Sequence, residues 1–224
     1  MAIDFLKVRG NFRERYINII RKKTTLKRKE IILFYELFIF FLKKYIIEHE
    51  CIAVDSFGAI ALSKRFKQEK ILIFKNDSKY VAKVINGIQF NDPNKHKISI
   101  FYKQFNDMTF KISKCLNLGR RYVLILIGLF FYTILEELRI NKQARVRGLG
   151  LFYLREIDYS KWNNKVCGRV VNSVTNTKQI MFNASLLISR LLNNLDKEIK
   201  IKKRTKRLLQ LNGLQNELII KKQT

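Results

Sequence analysis

Residues 52–65 carry the stretch IAVDSFGAIALSKR, and residues 144–155 carry a second stretch of the same design, ARVRGLGLFYLR. In both, apolar positions alternate on either side of a turn that contains a glycine, Gly58 or Gly150. Alternation with a period of two predicts strands, and glycine tolerates the backbone angles of a sharp reversal. Each stretch therefore predicts two short strands that are joined by a tight turn. The second strand of each pair ends in basic residues.

The two stretches lie at a fixed distance along the chain. Gly58 and Gly150 are 92 positions apart, and so are Leu26 and Leu118, each of which interrupts a helical pattern. A period of about 90 residues is too long for the repeat of a solenoid and fits a duplicated small domain. We therefore expect a chain that is built from two successive copies of one unit.

Two helical patterns precede the first strand pair. We predict a helix that is capped by Asn11 and ends at about Thr24. A second helix is predicted to start after Thr25, with Glu30 in its first turn, and to end at about Ile47.

The second copy repeats this order. Asn106 or Asp107 is predicted to cap a helix that ends near Cys115, and an apolar helix is predicted over residues 121–138. A closing helix over residues 185–195 is expected in the second copy only, because the first copy has no room for one.

The long helices of both copies are strongly apolar. Residues 122–135 contain no charge, whereas Glu36, Lys43 and Lys44 interrupt residues 31–47. A helix that spans a bilayer needs about 20 apolar residues, so neither run fits well. Because both runs occupy the same place ahead of a strand pair, we expect helices that are buried on every side, and a membrane partner is not expected.

The composition points to a polyanionic partner. With 47% hydrophobic residues, the 224-residue chain has enough material for a core, and global disorder is excluded. The formal net charge is +27, from 45 Lys and Arg against 18 Asp and Glu. Such a surplus indicates nucleic acid first and an anionic membrane surface second. The richness in Lys, Asn, Ile and Phe is typical of an AT-rich genome.

No catalytic or metal-binding pattern stands out. Cys51, Cys115 and Cys167 lack zinc-site spacing, and they are expected to be reduced thiols. His49 and His96 are the only histidines, and His49 is expected at the surface. No enzyme activity, cofactor or metal ion is expected.

Residues in each of the two copies carry a family resemblance. In the first copy these are Tyr16-Ile17-Asn18, Leu26, Lys29-Glu30 and Phe57-Gly58. In the second copy they are Ile134, Glu136, Leu138, Gly148, Gly150, Phe152, Arg155 and Glu156. Both sets match the pattern of the HU/IHF family of histone-like DNA-binding proteins, which the chain resembles. The segment Glu48–Ile52 also resembles the paired HU-like domains of some bacterial envelope proteins.

The resemblance implies an α+β fold with two tandem HU/IHF-like units, each with two helices and a strand pair that extends into a β-arm. The units cover residues 1–104, which lack the closing helix, and 105–195. A basic tail over 196–224, with seven basic residues in eleven from Lys197 to Arg207, is expected to be helical. HU-like proteins act as intertwined dimers, so the resemblance implies an intrachain pseudo-dimer or a homodimer.

The resemblance also places the two arms. The first covers residues 66–97, closes at Asn91-Asp92-Pro93 and returns as residues 98–100. Pro93 resembles the arm-tip proline that such proteins wedge between base steps, and an ordinary turn proline explains it equally well. The second arm runs from Ile157 to about Gln179, with Ser173 in the place of the tip proline.

The arms and the tail supply the predicted nucleic-acid-binding residues, because Lys and Arg neutralise phosphates. These residues are Lys64, Arg65, Lys67, Lys70, Lys79, Lys83, Pro93, Lys95, Lys97, Arg155, Lys161, Lys165, Arg169, Lys178, Lys202, Lys203, Arg204, Lys206 and Arg207.

Three functional hypotheses follow. The first is an HU-like architectural protein that binds and bends duplex DNA in the cytoplasmic nucleoid of a bacterium with an AT-rich genome. The second is an RNA-binding structural protein, such as a ribosomal component in an organellar matrix. The third is an envelope-associated protein that keeps HU-like folds without binding DNA.

Overall fold

The chain has a mixed α+β fold. Its computed structural model contains, in the part of the chain that it describes, six α-helices and two three-stranded antiparallel sheets. The described residues are 12–49, 51–54, 57–64, 70–76, 102–157, 177–193, 199 and 201–219.

The first half follows the predicted order of elements and adds a third strand. Its helices are α1 (Phe12–Lys23) and α2 (Arg28–His49), and its strands are β1 (Cys51–Val54), β2 (Gly58–Lys64) and β3 (Lys70–Asn76). The strands form a sheet in the order β1-β2-β3. The helix, break, longer helix and strand pair that the sequence predicts are therefore confirmed.

The second half repeats this order and continues into the C-terminal segment. The sheet order is β4-β5-β6, and the predicted closing helix and tail helix are both confirmed. The elements are α3 (Tyr102–Leu116), α4 (Arg120–Asn141), β4 (Gln143–Val146), β5 (Gly150–Ile157), β6 (Thr177–Ala184), α5 (Leu186–Leu192), α6 (Lys203–Leu211) and a 3-10 helix (Gln215–Leu218).

The strand pairs of the two halves share one register. Val54 pairs with Gly58 in the first half, and Val146 pairs with Gly150 in the second. The other pairs of β1 with β2 recur in β4 and β5 at the same offset of 92 positions. The spacing in the sequence therefore corresponds to one strand geometry that is built twice.

Close backbone approach explains both turn glycines. A Cβ atom on Gly58 would collide with the carbonyl oxygen of Lys75, and one on Gly150 would collide with that of Asn183. Gly58 also has a φ of 126°, which L-residues rarely adopt. Only glycine fits where the turn passes the neighbouring strand.

The first arm differs from the prediction. β3 pairs with β2 along its whole length, from Gly58 with Asn76 to Lys64 with Lys70. The physical reason is the alternating pattern of β3, which buries Leu72 in the core. The return strand is thus residues 70–76. The predicted tip at residues 91–93 and return over 98–100 lie outside the described residues.

The second arm agrees with the prediction at its base. β5 and β6 pair as far as Ile157 with Thr177. Residues 158–176, which include Ser173, lie outside the described part of the chain.

The start of α2 differs in its cap. The helix begins at Arg28, and Glu30 accepts a hydrogen bond from the backbone N–H of Lys27 at 2.6 Å. The hydroxyl of Thr24 instead donates to the carbonyl of Ile20 at 2.9 Å. Glu30 therefore binds the backbone N–H at the start of α2, which begins three residues after Thr25 instead of directly after it.

The two halves share one hydrophobic core. α2 and α4 are buried over most of their length, as predicted for helices covered on every side. α1 packs on α4 and α3 packs on α2, so each half covers the long helix of the other. Phe38 of α2 and Phe130 of α4, which are 92 positions apart, meet with ring centroids separated by 4.9 Å. None of the described helices combines the length and the apolarity needed to cross a membrane.

Candidate nucleic-acid interface

Each sheet has an inner face on the core and an outer face. Leu72 and Phe152 are buried on the inner face, and the residues that alternate with them point the other way. The edge strands β3 and β6 are neighbours, so the outer faces of the two sheets adjoin. Lys75, Arg145 and Arg155 are exposed on this surface, and none of its described side chains is acidic. We call it the outer sheet surface.

Hydrogen bonds to α5 hold one edge of this surface in place. The side chain of Asn193 accepts from the backbone N–H of Lys70 at 3.0 Å and donates to the Lys70 carbonyl at 3.1 Å. These bonds satisfy the backbone N–H and C=O of Lys70, which lies at the start of the edge strand β3. The predicted site residue Lys70 therefore lies on a fixed strand.

Most of the predicted arm residues lie outside the part of the chain that the structure describes. Arg155 is exposed near the end of β5, at the base of the second arm. Lys64 and Lys178 belong to β2 and β6, but their side chains are not described. The other predicted arm residues lie outside the described ranges: Arg65, Lys67, Lys79, Lys83, Pro93, Lys95, Lys97, Lys161, Lys165 and Arg169.

In the tail, two of the five predicted site residues bind a carboxylate of the chain itself. The Nζ of Lys202 lies 2.7 Å from Glu36, and the guanidinium of Arg204 donates to both Glu36 oxygens. Burial raises the pKa of Glu36, but the hydrogen bonds from Arg204 and Lys202 outweigh it and hold the pKa below its ordinary value. Lys203, Lys206 and Arg207 of the same segment are exposed.

The break between α1 and α2 is a basic surface that the predicted site residues do not include. Six of the nine residues from 21 to 29 are Lys or Arg, a signal that was visible in the sequence. Arg28 pairs with Glu14, and Lys23 lies 5.6 Å from the ring centroid of Tyr132. The exposed cations of this break are Arg21, Lys22, Lys23, Lys27, Arg28 and Lys29.

All of the described carboxylates have a hydrogen-bond or ion-pair partner within the chain. Each one contacts a Lys or Arg side chain or accepts a hydrogen bond from a backbone N–H. They all lie on helices, so none of these described carboxylates is on the outer sheet surface. These carboxylates belong to Glu14, Glu30, Glu36, Glu48, Asp107, Glu136, Glu137 and Glu217.

The described histidine and thiol offer little chemistry. His49 is exposed, as predicted, and its ring lies 4.9 Å from that of Tyr45. Cys115 is buried, and burial raises the pKa of its thiol to about 11. Within the described ranges, no three His, Cys, Asp or Glu side chains are grouped to hold a metal ion.

No protein-family model, curated protein or solved structure matches the chain. The HU/IHF resemblance therefore rests on the sequence residues named above.

Proposed function

We propose that the chain is a non-enzymatic nucleic-acid-binding protein that holds duplex DNA against its outer sheet surface and its arms. The observation that carries this proposal is the distribution of charge. The chain has a net charge of +27, and its described carboxylates are already occupied by internal partners. Because a surplus of 27 positive charges remains even when all 18 acidic residues are neutralised within the chain, it favours an external polyanion, and a phosphate backbone is the most abundant one.

The arrangement of the two halves supports a duplex as the ligand. Their adjoining sheets give a surface with cations in both halves, at Lys75 in the first and at Arg145 and Arg155 in the second. We propose that this is the HU-like dimer made within one chain. Affinity then comes from phosphate contacts, and selectivity comes from how easily the duplex deforms. A place in a bacterial nucleoid follows from the same proposal.

A gel-shift comparison tests this function. The wild-type chain is titrated with a straight duplex, a kinked duplex and a structured RNA over a series of salt concentrations. We expect the kinked duplex to bind most tightly, and we expect K75A/R145A/R155A to weaken duplex binding at least tenfold, since three phosphate contacts are removed.

Arg139→Ala is the control, because it removes a cation that is already paired with Glu136 at 3.0 Å. It should leave duplex binding nearly unchanged. Preference for structured RNA would favour the ribosomal hypothesis instead. Absence of nucleic-acid binding, together with membrane association that survives a carbonate wash, would favour the envelope hypothesis.

A further inference from the structure

The C-terminal segment is attached to α2 at two points. At the first, Glu36 accepts hydrogen bonds from Lys202 at 2.7 Å and from Arg204 Nε at 2.9 Å. At the second, the buried Nζ of Lys44 donates to the backbone carbonyls of Glu217 and Ile219, both at 2.9 Å. Eight residues separate Glu36 from Lys44, which is about 12 Å along a helix. The segment therefore lies along the body and is held at both ends.

This attachment fixes which face of α6 is turned outward. Thr205 and Leu209, one helical turn apart, are buried, and the Thr205 hydroxyl lies 3.3 Å from Glu36. Lys203, Lys206 and Arg207 are exposed. Their spacing places them next to one another on the helix surface.

The end of α6 is also fixed. The N–H of Leu214 donates to the carbonyl of Leu209 at 2.8 Å, and that of Gly213 donates to Gln210 at 3.0 Å. Gly213 has a φ of 68°, which is the left-handed conformation of a Schellman cap. The helix therefore has a defined length and a defined end.

We infer that Glu36 is a positioning residue for a second phosphate-binding surface, formed by Lys203, Lys206 and Arg207 on the docked α6. This inference rests on the proposed function. Lys202 and Arg204 attach the helix to Glu36, and the other three cations face the nucleic acid as a group. A docked helix loses less conformational freedom on binding than a free tail, so its cations bind a phosphate backbone more tightly.

A double-mutant cycle tests the role of Glu36. Affinity for one duplex at one salt concentration is measured for the wild type, E36A, K206A/R207A and the triple variant. Because Glu36 positions these cations, K206A/R207A should weaken binding about tenfold in the wild type and no more than about twofold in E36A. K22A/K29A, at the break between α1 and α2, is the matched control, and its effect should be equal in both backgrounds.

Hydrogen exchange shows whether each variant is folded and whether α6 is docked. Amides of residues 206–211 should be protected in the wild type and lose protection in E36A, while those of α4 stay protected in both. The inference would be overturned if K206A/R207A lowered the duplex affinity equally in the wild type and in E36A. An α6 without protection in the wild type would also overturn it. A wild type that binds no duplex would overturn the proposed function itself, and the inference with it.

Discussion

The guanidinium of Arg15 lies 2.7 Å from the buried carboxylate of Glu137, which binds the first helix of one half to the long helix of the other. The residues 92 positions from this pair, Asp107 and Tyr45, are also in contact, because the Tyr45 hydroxyl donates to the Asp107 carboxylate. A contact that recurs with the halves exchanged is the pattern of a two-fold interface. It supports a dimer-like arrangement within one chain.

This pair gives an asymmetric prediction for stability. Arg15→Met leaves the Glu137 carboxylate buried without its cation, while the side-chain amide of Asn141 still donates to it at 2.6 Å. This variant should lower the free energy of unfolding by about 3 kcal/mol. Glu137→Gln leaves Arg15, whose side chain is 37% exposed, free to reach water and should cost about 1 kcal/mol. Urea unfolding measures both free energies.

The exposed pair of Glu14 and Arg28 is the control for this measurement. Glu14→Gln removes a pair whose side chains are 36% and 46% exposed, and it should cost about 0.5 kcal/mol. An Arg15→Met variant that is as stable as Glu14→Gln would contradict the assigned role of the pair.

The turn glycines give a second prediction. Gly58→Ala and Gly150→Ala each force a Cβ into a backbone carbonyl and should destabilise the chain by more than about 2 kcal/mol. Gly119→Ala is the matched control, since no atom lies within 4 Å of its Cβ position, and its effect should stay within about 1 kcal/mol. Thermal unfolding compares the three variants, and equal melting temperatures would refute the close approach.

Acid should weaken the docking of α6. The folded-state pKa of Glu36 is lowered, so its stabilisation is complete above its ordinary value of 4.5 and is lost as the pH falls through the lower folded value. Hydrogen exchange of residues 206–211, corrected for the intrinsic rate, should show weaker protection below pH 4.5. In Glu36→Gln this dependence on pH should disappear. Protection that stays constant in the wild type through this range would argue against the Glu36 contacts.

The thiol of Cys115 should react slowly. Its raised pKa of about 11 leaves almost no thiolate at neutral pH, and burial blocks access. Alkylation with iodoacetamide, followed at this residue by mass spectrometry, should be at least about 100-fold faster in denaturant, because the thiolate fraction rises there. Similar rates in the native and denatured chain would contradict this burial.

Local patterns explain which parts of the fold could be predicted. The helices and strand pairs follow from hydrophobic periodicity, and the turn glycines fixed the places of the reversals. The alternating pattern of β3 fits an arm as well as a core strand, and only the tertiary packing that buries Leu72 distinguishes the two. The contact of Glu36 with Arg204 joins residues that are 168 positions apart, and no local sequence pattern predicts such a pair.

The salt dependence of duplex binding tests the central claim most directly. Affinity of the wild-type chain for a duplex of about 30 base pairs is measured from low to moderate salt, and the slope of log K against log salt is determined. If the chain binds through six or more phosphate contacts, the slope should be about −5 or steeper. A slope near zero, or no binding at low salt, would contradict a phosphate-binding role for its excess positive charge.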